Sequence, residues 1–174
     1  MKVIDATNLK LGRLASYVAQ DALKGETIRI VNAEKAVVTG NRKDILTKFR
    51  FKRQVGSRYH GPFYPKQADR ILKRVIRGML PYKKQRGRDA LDRIRAYLGV
   101  PAVFSKQKFE TVKGAQLGVI EKRLIMTLAD LSQELGSKAI VTAADSRHQA
   151  PEKVDKKEAP KKDKKEEKKE EKKE

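Results

Sequence analysis

Apolar residues at the start of the chain follow two rhythms. Val3 and Ile4 within 2–6 predict a short strand, closed by the turn and cap formers Asp5, Thr7 and Asn8. Leu14, Ala15, Val18, Ala19, Ala22 and Leu23 then recur at helical spacing and predict a helix over 12–24. The alanines on its apolar stripe allow close approach to a sheet, and Gly25 ends it. Thr27–Val31 reads as a second strand and Ala36–Val38 as a third, shorter one. Strand, helix, strand is the repeating unit of an α/β fold.

Beyond Gly40 the polar positions carry more of the pattern. Asn41 suits a cap for a helix through Ile45, Leu46 and Phe49, followed by an irregular loop from about 51 to 64. Pro65 suits the first turn of a helix over 66–79. In that helix Arg70, Lys73, Arg74 and Arg77 fall at i, i+3, i+4 and i+7, with Ile71, Leu72, Val75, Ile76 and Met79 on the opposite side. At about 100° per residue the cations share one stripe while the aliphatics face the core. Pro81 stops this helix. Another is predicted over 87–98, with Asp89 and Asp92 near its start, Leu91, Ile94 and Leu98 inward, and Arg88, Arg93 and Arg95 outward. Gly99 and Pro101 end it, a weak strand follows near 108–112, and a short helix over 127–135 precedes Gly136.

The expected fold class is therefore α/β, a three-layer α/β/α arrangement around a small central, mostly parallel or mixed sheet, with a basic loop and helical extension. Residues 1–145 are expected to form one domain and 146–174 a charged, disordered tail. The tail's four-residue Lys/Glu repeat sets like charges at i,i+4, as in Lys164 with Lys168 and Glu166 with Glu170, which opposes a helix. Past Ala159 its only apolar residue is Pro160, so nothing offsets the entropy of ordering it.

Charge changes the picture. The chain has 174 residues and a formal net charge of +20. Between Arg42 and Arg95 eighteen Lys and Arg face four acids, Asp44, Asp69, Asp89 and Asp92, so 14 of those 20 charges lie in about a third of the length. Rings and backbone breaks interrupt the cations at Phe49, Phe51, Tyr59, His60, Gly61, Pro62, Phe63, Tyr64 and Pro65. A solvated charged face is the plain alternative, but so many unneutralised cations repel one another unless a polyanion is bound. Flat rings among cations suit folded RNA. If about 6–10 of these cations meet phosphates, affinity should fall about 10³–10⁵-fold between 50 and 200 mM salt.

Candidate chemistry is sparse. There is no cysteine, which excludes disulfides and thiolate metal sites, and no N-terminal apolar stretch suits a signal peptide or membrane span, so a soluble cytoplasmic protein is expected. His60, between Tyr59 and Gly61, suits a base or phosphate contact, and His148 sits in a polar segment. Asp130 and Glu134 share a helical face without a third ligand, so no metal is expected. Gly40-Asn41-Arg42-Lys43 lacks the upstream glycine and following Ser/Thr of a Walker loop, and Lys10-Leu11-Gly12-Arg13 lacks the spaced glycines of a dinucleotide site. No enzyme activity and no cofactor are expected.

Several motifs in order carry a family resemblance: Val3-Ile4-Asp5-Ala6-Thr7, Leu11-Gly12-Arg13-Leu14-Ala15-Ser16, the run from Ile30 to Asn41, Gly61-Pro62-Phe63, Arg77-Gly78-Met79-Leu80-Pro81, Arg86-Gly87-Arg88 and Tyr97-Leu98-Gly99-Val100-Pro101. Over residues 3 to about 101 the chain resembles the universal large-subunit ribosomal protein number thirteen in its archaeal and eukaryotic form. The resemblance implies a non-catalytic constituent of the large ribosomal subunit that binds ribosomal RNA, assists assembly and neighbours other large-subunit proteins, with no membrane or small-molecule partner. By that analogy the RNA-facing residues are Arg53, Arg58, the stripe Arg70, Lys73, Arg74 and Arg77, and the cluster Lys83, Lys84, Arg86 and Arg88. The basic segment itself adds Arg42, Lys43, Lys48, Arg50, Lys52, Tyr59, His60 and Lys66. Two competing readings use the same surface: an RNA-processing enzyme, and a DNA-binding protein reading base edges with Lys66, Gln67 and Arg70.

Overall fold

The structure, a computed structural model, describes residues 1–57, 59–118 and 124–137. Arg58, His148 and the Lys/Glu tail lie outside the described residues.

Strand β1 (Lys2–Asp5) leads through helix α1 (Leu11–Leu23) to strand β2 (Ile28–Val31), which pairs with it in parallel, Ile4 opposite Ile30. A 3₁₀ turn (Ala33–Lys35) and strand β3 (Val37–Thr39) follow, then helices α2 (Arg42–Gln54), α3 (Ala68–Met79) and α4 (Gln85–Asp92). Strand β4 (Ile94–Ala96) returns to pair in parallel with β2, giving the order β1-β2-β4 with β2 central. Strand β5 (Ile125–Thr127) pairs antiparallel with β3, and helix α5 (Leu128–Glu134) follows it. The fold is α/β, as the alternation of strand and helix patterns predicts.

Side chains alternate across the pleat and divide the burial between two clusters. Ile4, Ile28, Ile30 and Ile94 meet Leu14, Ala15 and Val18 of α1 and Ile71, Leu72 and Ile76 of α3 in the main core. Val3 and Val31 turn the other way, where Phe104 buries against them and Tyr97 packs at the edge. Burying each aliphatic of α3 is worth about 1.5–3 kcal/mol. That is enough to hold a helix whose other face is a row of like charges.

Several elements depart from expectation. The helix predicted over 87–98 ends at Asp92 and becomes β4. Leu91, Ile94 and Leu98 fit helical spacing, but Ile94-Arg95-Ala96 also alternates, and an open edge of β2 decides the matter. Arg93 C=O accepts from Ile28 N–H at 3.2 Å and Tyr97 N–H donates to Ile30 C=O at 2.8 Å. Helix α2 continues to Gln54, shortening the expected loop. Helix α3 begins at Ala68, so Pro65 precedes it: the Ser132 hydroxyl donates to Lys66 C=O at 2.8 Å and fixes the entering backbone. Met79, expected in the core, is 42 % exposed: Ile76 and Leu80 fill the core positions of that turn, and the Met79 sulfur lies 3.4 Å from Ser16 Oγ of α1. The weak strand near 108–112 reduces to one bridge on the free edge of β1, where Glu110 N–H donates to Val3 C=O at 2.8 Å. The three-residue β5 was too short to read from pattern.

Candidate nucleic-acid interface

The cations of the basic segment stand on three helices and their connections. Helix α2 starts at Asn41, whose side chain accepts from Lys43 N–H at 3.2 Å, and is anchored by buried Ile45 and Phe49. Phe49 meets Tyr64 edge-on with centroids 5.8 Å apart. Lys52 Nζ lies 5.2 Å from the Phe49 centroid and 5.7 Å from that of Tyr64, and the Arg74 guanidinium of α3 stands 5.9 Å from the same Tyr64 ring. Tyr64 is thus a post between cations of two helices, each held by the negative face of a ring. Burial pushes its hydroxyl pKa up, against the opposing pull of Arg74.

On α3, Arg70 is exposed while Lys73, Arg74 and Arg77 are half-buried, the last two with their guanidinium groups over the rings of Tyr64 and Tyr82. Burial lowers the Lys73 ammonium below its ordinary pKa; neighbouring Arg95 adds to this and Asp92 opposes it. A bound phosphate would reverse that shift.

Between α3 and α4 the chain turns tightly. Tyr82 N–H donates to Leu80 C=O at 2.8 Å, Lys84 N–H to Pro81 C=O at 2.9 Å and Gly87 N–H to Lys84 C=O at 3.0 Å. A Cβ on Gly87 would overlap the Pro81 carbonyl, so only glycine fits. The Arg77 guanidinium stacks on the Tyr82 ring at 4.3 Å. The result is a groove of about 570 Å³ lined by Arg77, Tyr82, Lys83, Arg88, Leu91 and Asp92.

Of the residues picked from sequence, Arg42, Lys43, Lys48, Arg50, Lys52, Tyr59, His60, Lys66, Arg70, Lys83, Lys84, Arg86 and Arg88 are exposed, and Arg53, Lys73, Arg74 and Arg77 are half-buried. None of these is buried. Three nonetheless have structural work. Glu134 of α5 pairs with Arg42 at 3.0 Å and Arg50 at 3.5 Å, and Arg53 donates to Leu135 C=O at 2.8 Å, satisfying a carbonyl left open at the end of α5. Among the described residues, no other cation of the segment is ion-paired to a carboxylate. At the start of α5 the Asp130 backbone N–H donates to Thr127 Oγ1 at 3.1 Å, a helix cap.

Phe51 and Phe63 enter the sequence reading only as rings within the basic segment and not as site residues, and Tyr82, Leu91 and Asp92 are not among its site residues. Phe51 is 65 % and Phe63 70 % exposed beside Tyr59 at 82 %, so three rings stand bare among cations. Asp92 lies one turn after Arg88, a spacing visible in the sequence. A second hollow of about 410 Å³, between α1 and the 3₁₀ turn at Lys113–Ala115, is lined by Arg13, Ser16, Tyr17, Gln20 and Gly114. Its signal was the polar i, i+3, i+4, i+7 face of α1 opposite the apolar stripe.

Exposed rings and cations that, apart from Arg42 and Arg50, lack a carboxylate partner among the described residues, on helices docked to a small sheet, define the class: an α/β protein with one strongly basic face. The family model for ribosomal protein L13 matches residues 1–102. The chain is 50 % identical over 139 residues to the large ribosomal subunit protein uL13 of Methanosarcina barkeri, covering 79 % of this chain and 99 % of that one. It is 45 % identical over 138 residues to that of Methanococcoides burtonii, with 79 % and 99 % covered, and 44 % identical over 135 residues to that of Haloarcula marismortui, with 78 % and 90 % covered. The chain belongs to the ribosomal protein L13 family.

Proposed function

We infer that the chain is a structural, non-catalytic constituent of the large ribosomal subunit in the cytoplasm, and that it grips ribosomal RNA through the face formed by α2, the loop after it, α3 and the α3–α4 turn. One observation carries the choice of face: the α3 cations are on the side opposite Ile71, Leu72 and Ile76, and none of them has a carboxylate partner among the described residues. A helix fixed by its apolar side and charged on the other holds cations in place before RNA arrives, which lowers the ordering cost of binding. Phosphate contacts of this kind supply affinity, and bare rings supply stacking surfaces for unpaired bases. Family membership supports the ribosomal reading over the enzyme and DNA alternatives. Gln67, which the DNA reading needs at a recognition-helix start, is half-buried and precedes the first helical residue.

The test replaces Arg70, Arg74 and Arg77 together by Glu. The melting temperature should drop only by the loss of two ring contacts, each about 0.5–1 kcal/mol at exposed sites. Binding to large-subunit ribosomal RNA at 100 mM salt should fall at least about 10²-fold, with a shallower salt slope. Unchanged RNA affinity in a folded variant would refute the proposed face.

A further inference from the structure

We propose that the groove between the end of α3 and α4 is a pocket for a single extruded ribonucleotide, its phosphate against Arg77, Lys83 and Arg88 and its ribose 2′-hydroxyl donating to Asp92. This deepens, and rests on, the reading of the chain as RNA-binding.

The groove is open, with Tyr82, Lys83, Arg88 and Asp92 exposed along it, and its volume of about 570 Å³ is room for one nucleotide, whereas a helical phosphate strand needs only a flat charged surface. It is also built rather than incidental. The contact of Gly87 with the Pro81 carbonyl fixes the turn that makes one wall, and stacking on Tyr82 fixes the Arg77 guanidinium on another.

Its charge pattern points to more than phosphate. Three cations face one acid, and although Arg88 and Asp92 are one helical turn apart, they form no ion pair, nor do Arg77 or Lys83. Asp92 does feel the Lys73 ammonium from α3, yet that side chain does not line the groove. A carboxylate in a pure phosphate site repels its ligand. It becomes useful when the ligand brings a donor, and an internal backbone phosphate has none. The ribose 2′-hydroxyl is such a donor and is the group that separates RNA from DNA. Leu91 offers the apolar edge against which a sugar or base rests.

The full chain, labelled with ¹⁵N, is titrated by NMR with adenosine 5′-monophosphate, its 2′-deoxy counterpart and inorganic phosphate. The ribonucleotide should shift the amides of residues 82–92 saturably and bind roughly 2–10-fold more tightly than the deoxynucleotide, the equivalent of one net hydrogen bond. Asp92→Ala should erase that preference while leaving deoxynucleotide binding intact, and Lys83→Ala with Arg88→Ala should abolish saturation for all three probes. Equal affinity of the two nucleotides in the unsubstituted chain overturns the role of Asp92. Shifts spread over α2 and α3 without saturation overturn the pocket. A folded hairpin RNA with one bulged nucleotide separates the two readings: a chain that binds the hairpin but ignores a 2′-deoxy bulge keeps RNA binding and loses the pocket, and one that binds no hairpin loses both.

Discussion

At Asp5, the last residue of β1, one carboxylate oxygen accepts from Thr7 N–H at 3.0 Å, from the Thr7 hydroxyl at 2.7 Å and from Asn32 Nδ2 at 3.0 Å. Burial alone pushes this carboxyl up, but these bonds and the charge of Lys35 together outweigh it and leave the pKa below its ordinary value. Asn32 can reach because its backbone takes the left-handed conformation, φ 54°, which Asn tolerates better than most residues. A carboxyl with a depressed folded pKa contributes stability that is complete above its unfolded value near 4 and is lost as pH falls through the folded value. The melting temperature of the chain should therefore exceed that of Asp5→Asn most above about pH 5, and the gap should close on acidification towards about pH 2. A gap independent of pH would mean that the hydrogen bonds act through shape alone. The turn-forming character of Asp5 and Thr7 was legible from residue type; the partnership with Asn32, twenty-seven positions away, was not, because nothing local fixes which strand ends meet.

Among the elements, the α3–α4 corner shows how little chain is needed to place a charged cluster. Pro81 ends one helix, the Lys84 and Gly87 amides close the turn, and Gly87 lies against a carbonyl where no side chain fits. Gly87→Ala should destabilise the protein by about 1–3 kcal/mol, read from urea unfolding, because the added methyl must displace backbone. In a variant still folded, RNA affinity should fall as well, since Lys83 and Arg88 stand on either side of the displaced turn. A neutral substitution would show the corner to be loose. The stop at Pro81 was plain in the sequence. The change from helix to strand at Arg93 was not, since the same apolar residues satisfy both periods and the free edge of β2 alone favours the strand.

Among the described residues of the basic segment the cations divide into those paired with an acid and those without such a partner. Glu134 holds Arg42 and Arg50 against α5, while the stripe on α3 and the cluster after Pro81 have no acid partner among the described residues. Exposed pairs of this kind contribute about 0–1 kcal/mol, so Glu134→Gln should leave the melting temperature nearly unchanged. It should also raise RNA affinity at low salt and steepen the salt slope by about one, as a released guanidinium becomes available to phosphate. Weaker RNA binding by this variant would instead show that Glu134 orients the two arginines for the RNA.

The opening strand, helix and strand, the two faces of α3 and the concentration of charge between Arg42 and Arg95 follow from local sequence, because periodicity and composition act over a few neighbouring residues. Four things needed the folded chain: the entry of β4 beside β2, the diversion of Arg42, Arg50 and Arg53 to α5, the exposure of Phe51 and Phe63, and the placing of Asp92 on one open groove with three cations. Each depends on which distant segments come together. That is set by the shared burial of Ile4, Ile30, Ile71, Ile76 and Ile94 and by backbone groups finding partners, terms that belong to the assembled core and not to any stretch of residues within it.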